Sequence, residues 1–362
     1  MIASIDDTLP GESVFAQHLA GEKAAIAYIN AELSGVNGHP LKLYSCNSGG
    51  VAVAPATATC AQSAVAHKPI VVTGTAIAFG AAGAPIIAAA GIPTETLQYV
   101  AQDFANPDAF PTGAAATSEA QAQGAFAKQA FNPKTVTVLS SEGVNASDAV
   151  KLTQKGLGSG VKAKLVTFPL TGASTLASVV HAVGPKPDVL VVNVGAGPLA
   201  VSIFKQIQQQ GYPSSHIVAV MAAVDGQTLD DLGSSIEGTT FMFEFKPWTL
   251  TSDPQVATYL KAYKKYGDPK VTAESGFTEW GFSDVMQAWE TASHVSGTVT
   301  GPKLLKYLKS AKSVPGFLNH GLGAPSPGYP GVRNPYIYLV KAEKGTLKPV
   351  SGQWFASPAL LP

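Results

Sequence analysis

Apolar positions along this chain fall into two alternating rhythms. Short stretches step in twos or run apolar for a few residues, and longer stretches between them carry apolar side chains three and four apart. Ile2 to Ile5 alternates as a strand, and Phe15 to Leu33 reads as a helix with Leu19, Ile26 and Ile29 as apolar positions and Ser13 available as a cap. Leu41 to Cys46 is the next predicted strand, Ala52 to Ala66 a helix, Pro69 to Thr73 a buried strand and Ala81 to Ala90 a helix of small residues, after which Gly91-Ile92-Pro93 opens another short strand. Strands alternating with helices in this way predict βαβ units and a parallel sheet.

A second run of the same kind begins after a loop around Phe110 to Thr117. Helices are predicted over Gln121 to Phe131, Ala146 to Gly156, Leu176 to Val183 and Leu199 to Gln210. Strands are predicted over Thr135 to Leu139, Val161 to Phe168, Asp188 to Val194, Ile217 to Met221 and Thr239 to Phe245. Beyond Lys246-Pro247 only helices follow, over Pro254 to Tyr266, Ala273 to Val295 and Pro302 to Lys312, and these need an earlier sheet to cover. A Gly/Pro-rich stretch from Pro315 to Asn334 leads to one alternating strand, Tyr336 to Val340, and a short tail containing Trp354-Phe355.

Composition narrows the classes of function. The chain has 362 residues, which exceeds one comfortable core and predicts two lobes. Lys and Arg number 24 and Asp and Glu 24, so no net field gathers phosphates, and nucleic acid or an anionic membrane surface is a poor partner. The longest apolar stretch, Ile77 to Pro93, is mostly Ala and Gly and is interrupted by Pro85, so it does not read as a membrane span. Met1 runs directly into Ile2-Ala3-Ser4-Ile5 without the basic and apolar regions of a secretion signal. Cys46 and Cys60 are the whole thiol content; a bridge between them is possible, and two reduced buried thiols are the alternative.

Conventional chemistry is sparse. Gly195-Ala196-Gly197-Pro198-Leu199-Ala200 follows a predicted strand and opens a helix, as a dinucleotide fingerprint does, but Pro198 removes an amide donor and the nearest following acid is Asp225. A small-residue turn is the simpler reading. The seven histidines, His18, His39, His67, His181, His216, His294 and His320, show no ligand spacing, so no metal is expected. No nucleophile elbow or phosphate loop is present. Glu119, Glu142, Asp148, Asp225 and Glu279 are carboxylates that could pair in space, and Asn145-Ala146-Ser147, although a glycosylation sequon, sits where a helix cap is expected. What remains is the general site of open parallel sheets, the crevice at the carboxyl ends of the strands.

Several strings, taken in order, resemble the type I periplasmic binding protein family, in its branch for leucine, isoleucine and valine. They are Gly21 through Ala31 ending in Tyr28-Ile29-Asn30-Ala31, Gly35-Val36-Asn37-Gly38-His39-Pro40-Leu41, Val72-Thr73-Gly74-Thr75, Gly91-Ile92-Pro93 and Asp188-Val189-Leu190-Val191. Gln209-Gln210-Gly211-Tyr212, Glu237-Gly238-Thr239 and Tyr263-Lys264-Lys265-Tyr266-Gly267 continue the series, so the resemblance spans nearly the whole chain. It implies two three-layer α/β/α lobes with parallel sheets, joined by three hinge crossovers near Ala114, Pro247 and Ser326. The lobes would be 1–114 with 248–326 and 115–247 with 327–362, with a ligand cleft between them.

The same resemblance implies an extracytoplasmic monomer that is not an enzyme, holds no cofactor and delivers a small solute to an ABC permease. It also makes a Cys46–Cys60 disulfide similar to one seen in relatives. In relatives the solute's carboxylate is held after the third and fourth strands, which correspond here to Thr75, Ala76, Ile77 and Ala78 and to Thr96 and Gln98. Its ammonium is held by an acid of the second lobe, for which Asp225 stands as a displaced substitute because Ala222 occupies the expected place. Aromatic walls correspond to Phe15, Phe277 and Trp280, with plain helix packing as the alternative for Phe277 and Trp280. Gly195, Ala196, Val144 and Asn145 line the second lobe, with Val144-Asn145 replacing a Tyr-Gly pair common in relatives. Ile77-Ala78, where relatives carry a hydroxyl, and Ala222 weaken a standard amino-acid site, so an apolar or aromatic carboxylate or another small amphipathic solute is equally expected. A ligand-sensing regulator of the same fold is the alternative, and a cleft enzyme is less favoured.

Overall fold

Described residues of the computed structural model are 1–7, 14–50, 52–142, 146–168, 180–184, 186–357 and 360–361. In chain order the first elements are β1 (Ile2–Asp6), α1 (Val14–Glu32), β2 (Leu43–Asn47), α2 (Ala54–Ala66), β3 (Val71–Gly74), α3 (Ala84–Ala89), β4 (Thr94–Thr96) and α4 (Ala101–Phe104). There follow α5 (Ala115–Phe131), β5 (Thr135–Ser141), α6 (Ala146–Leu157), β6 (Lys162–Phe168), β7 (Val189–Asn193), α7 (Pro198–Gln209), β8 (Ile217–Val220), α8 (Gly226–Leu232) and β9 (Thr240–Phe243). The last are α9 (Pro254–Tyr266), α10 (Gly276–Ser293), α11 (Gly301–Ser310), β10 (Tyr336–Glu343) and β11 (Thr346–Ala356).

These elements form two compact units, Met1–Ala115 with Thr251–Asn334 and Ala116–Leu250 with Pro335–Leu361. The third change of unit falls after Asn334 and not near Ser326, because the intervening residues are tied into the first unit. Gln98 Nε2 donates to the Gly331 carbonyl at 2.8 Å, the Gly331 amide to the Phe104 carbonyl at 2.9 Å and Asn334 Nδ2 to the Thr112 carbonyl at 2.8 Å. Arg333 adds its guanidinium 4.6 Å above the Phe110 ring.

In the first unit four parallel strands lie in the order β2-β1-β3-β4. The period of two sorts β1 between two layers. Ala3 and Ile5, with Val72 of β3, pack on Cys60, Ala61 and Ala64 of α2 and Ile87 of α3. Ser4 and Asp6, with Thr73, turn to the other face, where α1 and α10 cross at close range. That crossing depends on two glycines. A Cβ on Gly21 would lie 2.2 Å from the Thr278 carbonyl oxygen, and one on Gly281 would lie 1.9 Å from that of His18. The Cys46 and Cys60 sulfurs are joined, with Cα atoms 5.6 Å apart, which ties β2 to α2 and resolves the alternative left by the sequence.

The second unit has seven strands in the order β11-β10-β9-β8-β7-β5-β6. The run from β6 to β9 is parallel, but β10 and β11 are antiparallel, so this sheet is mixed and not wholly parallel. The reason lies in the connections. No crossover helix leads into β10, and Lys344 and Gly345, at φ 53° and 75°, make the tight turn that folds β11 back on it. The tail with Trp354-Phe355 is thereby a full strand, which the sequence reading did not assign.

Other boundaries also moved. α5 begins at Ala115, inside the expected loop, and the expected helix at Ala81 opens with a wider π turn over Phe79–Gly83. Of Leu176 to Val183 only 180–183 lies among the described residues.

Candidate functional site

Strand order fixes where each sheet can accept a ligand. In the first unit the chain leaves β1 for β2 on one side and returns to β3 on the other, so the connections diverge between the carboxyl ends of β1 and β3. The corresponding point in the second unit lies between β5 and β7.

At the first of these points two consecutive acids end β1. Asp6 accepts from Ser4 Oγ at 2.6 Å, from the Thr75 amide at 3.2 Å and from Thr75 Oγ1 at 3.0 Å. Asp7 turns the opposite way. Its Oδ2 accepts from the amides of Ile77 at 2.9 Å and Ala52 at 3.2 Å, and its Oδ1 accepts from Ser48 Oγ. The two carboxylates therefore draw together residues at the ends of β1, β2 and β3, and both are buried.

Behind Asp6 lies a buried charge network. His18 Nδ1 is 3.3 Å from Asp6 Oδ1 and its Nε2 is 3.0 Å from Asp284 Oδ2, while Glu22, one turn along α1, accepts from Thr73 Oγ1 and Asp284 from Thr112 Oγ1. Burial alone would push the His18 pKa down, but the charge on Glu22 and the bonds to Asp284 and Asp6 more than offset it, holding His18 well above 6.5. Burial would raise Asp6, yet the His18 contacts keep it low. Glu22 is pushed up to about 8, by burial first and then by the Asp6 charge. Burial likewise raises Asp284, Glu95 and Glu279. Asp6, His18 and Glu22 bring three metal-ligand atoms within 4.8 Å of one another. Both imidazole nitrogens face carboxylates and Asp6 is already supplied by Ser4 and Thr75, so the cluster closes on itself as an ion network.

The sequence-predicted residues divide accordingly. Thr75, Ala76, Ile77 and Ala78 do sit at the β1/β3 point, but the Thr75 hydroxyl is spent on Asp6 and the Ile77 amide on Asp7. Gln98 clamps Gly331, and Thr96 is buried in β4. Phe15 meets Phe277 edge to face at 6.0 Å, and Phe277 stacks on Trp280 at 5.9 Å, which in turn meets the His18 ring at 6.1 Å. Trp280 is buried in this packing, and Phe277 is half-buried.

In the second unit Gly195 is exposed and Ala196 half-buried at the end of β7, and the Gly197 amide donates to Thr228 Oγ1 at 2.9 Å. Asp225 is the N-cap of α8, its Oδ1 accepting from the Thr228 amide at 2.8 Å. Val144 and Asn145 lie outside the described residues. The Met221 amide bonds to Glu119, whose pKa is raised well above the usual range by burial and by the Glu244 charge.

Sequence reasoning missed Asp6, Asp7, Ser48, Glu22 and Asp284, and it counted His18 among scattered histidines. Signals were present: Ser4 and Asp6 alternate on a buried strand, and His18 and Glu22 stand four apart on one face of a helix.

In two α/β units whose connections diverge at the carboxyl ends of their strands, those strand ends are where ligands generally bind. The chain belongs to the periplasmic binding protein family, whose model matches residues 3–344. That family consists of non-enzymatic solute-binding proteins of ABC transporters, and membership implies an extracytoplasmic location, a small-molecule ligand and an ABC permease as partner.

Solved structures that resemble it include a fatty acid ABC transporter substrate-binding protein from Thermomonospora curvata, with 16% identity, a TM-score of 0.79 and coverage of 99% of this chain and 93% of that one. A solute-binding protein from R. palustris in complex with 4-hydroxybenzoate has 16% identity, a TM-score of 0.77 and coverage of 99% and 98%. A leucine binding protein from Thermotoga maritima has 18% identity, a TM-score of 0.74 and coverage of 98% and 97%. At these identities the likeness is one of fold. No curated protein matches the chain.

Proposed function

We propose that this chain is the receptor of an ABC importer, working as a monomer without nucleic acid, and that its two units close on one small amphipathic solute. The observation that carries this reading is the pair of strand-end points, one in each unit, on a chain that changes unit after Ala115, Leu250 and Asn334. A solute that touches both units only when they approach shifts a hinge equilibrium, and a permease can read that shift. Ile77 and Ala78 of the first unit and Gly195 and Ala196 of the second are the residues proposed to face it, with Phe15 and Phe277 supplying apolar surface. Amino acids and apolar or aromatic carboxylates are the first compounds to offer, because structural neighbours are described with leucine, a fatty acid and 4-hydroxybenzoate.

Small-angle scattering with and without each compound tests closure. A ligand that raises the melting temperature and reduces the radius of gyration supports the reading. Tight binding with no change of dimensions would end it.

A further inference from the structure

At the β1/β3 point of the first unit, the groups that would receive an anion are the amides and hydroxyls that crowd the strand ends. They have an occupant already. The Ile77 and Ala52 amides and the Ser48 hydroxyl all converge on Asp7, a residue of the chain itself, and the Thr75 amide and hydroxyl converge on Asp6. Five donors from the residues after β2 and β3 are thus committed to two buried carboxylates. Neither carboxylate has a Lys or Arg among these bonds; the partner of Asp6 is the buried His18.

A solute carboxylate brought to this point would find its donors taken and would face like charge in a water-poor setting, which disfavours it strongly. A hydroxyl or amine meets the opposite situation. A carboxylate has about four lone-pair directions, and among the described residues Asp7 Oδ1 accepts only from Ser48 Oγ, so this buried oxygen has room for one more donor.

We infer that the solute end received by the first unit is a hydrogen-bond donor, a hydroxyl or an amine, and not a carboxylate, with Asp7 as the residue that sets this preference. The inference rests on the binding-protein reading above and narrows its ligand class. Asp7 acts as a built-in substitute for the anion that an empty strand end of this kind would accept.

Matched pairs of compounds that differ only at one end test it: leucine against leucinol, and 4-hydroxybenzoate against 4-hydroxybenzyl alcohol, by calorimetry and melting temperature. The wild type is expected to prefer the alcohol of a pair. Asp7→Ser, checked for folding by circular dichroism, frees the Ile77 and Ala52 amides and is expected to shift the carboxylate-to-alcohol affinity ratio by about tenfold or more toward the carboxylate. Asp7→Asn keeps an acceptor on those amides and is expected to shift it much less. A wild type that prefers the carboxylate in both pairs, or a folded Asp7→Ser chain with an unchanged ratio or no gain for the carboxylates, overturns the inference. Failure of the binding-protein reading shows differently, as tight ligands that leave the dimensions of the molecule unchanged.

Discussion

Each unit contains a pair of helices that meet backbone to backbone through glycine, and the two pairs are set in different chemistry. In the first unit Gly21 and Gly281 let α1 and α10 touch, and the residues beside them include His18, Glu22, Glu279 and Asp284, all fully buried. In the second, a Cβ on Gly124 would lie 2.1 Å from the Thr153 carbonyl oxygen and one on Gly156 2.1 Å from that of Gln121, so α5 and α6 meet equally closely. There the buried neighbours are Gln121, Ala122, Thr153 and Leu157, none of them ionisable. One steric device therefore has two outcomes. Where uncharged side chains flank the contact it packs two helices. Where charged ones flank it, it places His18 against Asp284, 266 residues away in sequence, and makes the stability of that crossing depend on protons.

The largest expected effect tests what the two crossings share. Gly281→Ala and Gly124→Ala each drive a methyl into backbone, and each should cost more than about 3 kcal/mol in chemical denaturation. A much smaller cost at Gly124 would mean that α5 and α6 can slide apart where α1 and α10 cannot. Next in size is the covalent tie, which only the first unit carries. Replacing Cys46 and Cys60 with Ser opens a short loop and should cost about 3 kcal/mol, read as an earlier melt of the first unit with the second unchanged. Equal loss in both transitions would show that the units unfold together.

The proton dependence is the sharper probe of the difference. Glu22 titrates at about 8 in the folded chain against 4.5 in an ordinary carboxyl, so the folded state holds a proton that the unfolded state has released between those values. Its contribution is complete below about pH 4.5 and is lost as pH rises through about 8. Stability should fall by about 1.4 kcal/mol per pH unit in that window from this residue alone, and Glu22→Gln should remove that share of the slope. Glu95 and Glu279, also raised by burial, leave a remainder of the same sign. A slope that Glu22→Gln leaves intact would place the titration elsewhere. The smallest effect belongs to the second unit, where Asp225→Ala removes the α8 cap and should cost about 1 kcal/mol in chemical denaturation.

Much of the fold was legible because it is written locally. The strand and helix rhythm located β1 to β9 within a few residues, and α9 matched the expected Pro254 to Tyr266 at both ends, where Asp253 caps the helix by accepting from the Gln255 and Val256 amides and Gly267 follows. β11 was not legible. Its residues are mostly exposed or half-exposed, with Pro349 and Gly352 interrupting the alternation, so the apolar signal that marks a buried strand is missing. The site was legible only as an address. The strand ends and the strand-turn Val72-Thr73-Gly74-Thr75 could be placed from sequence, but whether the Ile77 amide is free or bonded to Asp7 is a contact across 70 positions. The Cys46–Cys60 pair, 14 apart, could be proposed from sequence because both members are scarce and near each other. The His18 network could not, because its members come from β1, α1 and α10, and the spacing of His18 and Glu22 does not say that Asp284, 266 residues on, will face them.

The closing hairpin also has a bearing on how the molecule lives among its neighbours. A parallel sheet that stopped at β9 or β10 would present a straight rail of unpaired peptide groups, the surface on which β-proteins zip together into aggregates. The turn at Lys344-Gly345 lays β11 over that rail, and β11 is itself a poor template: Pro349 has no N–H to offer, Lys348 is exposed and the register against β10 slips between Tyr338 and Val340. Ending the polypeptide before Thr346 should thus produce sticky molecules that clump at concentrations where the intact chain does not, as light scattering would register.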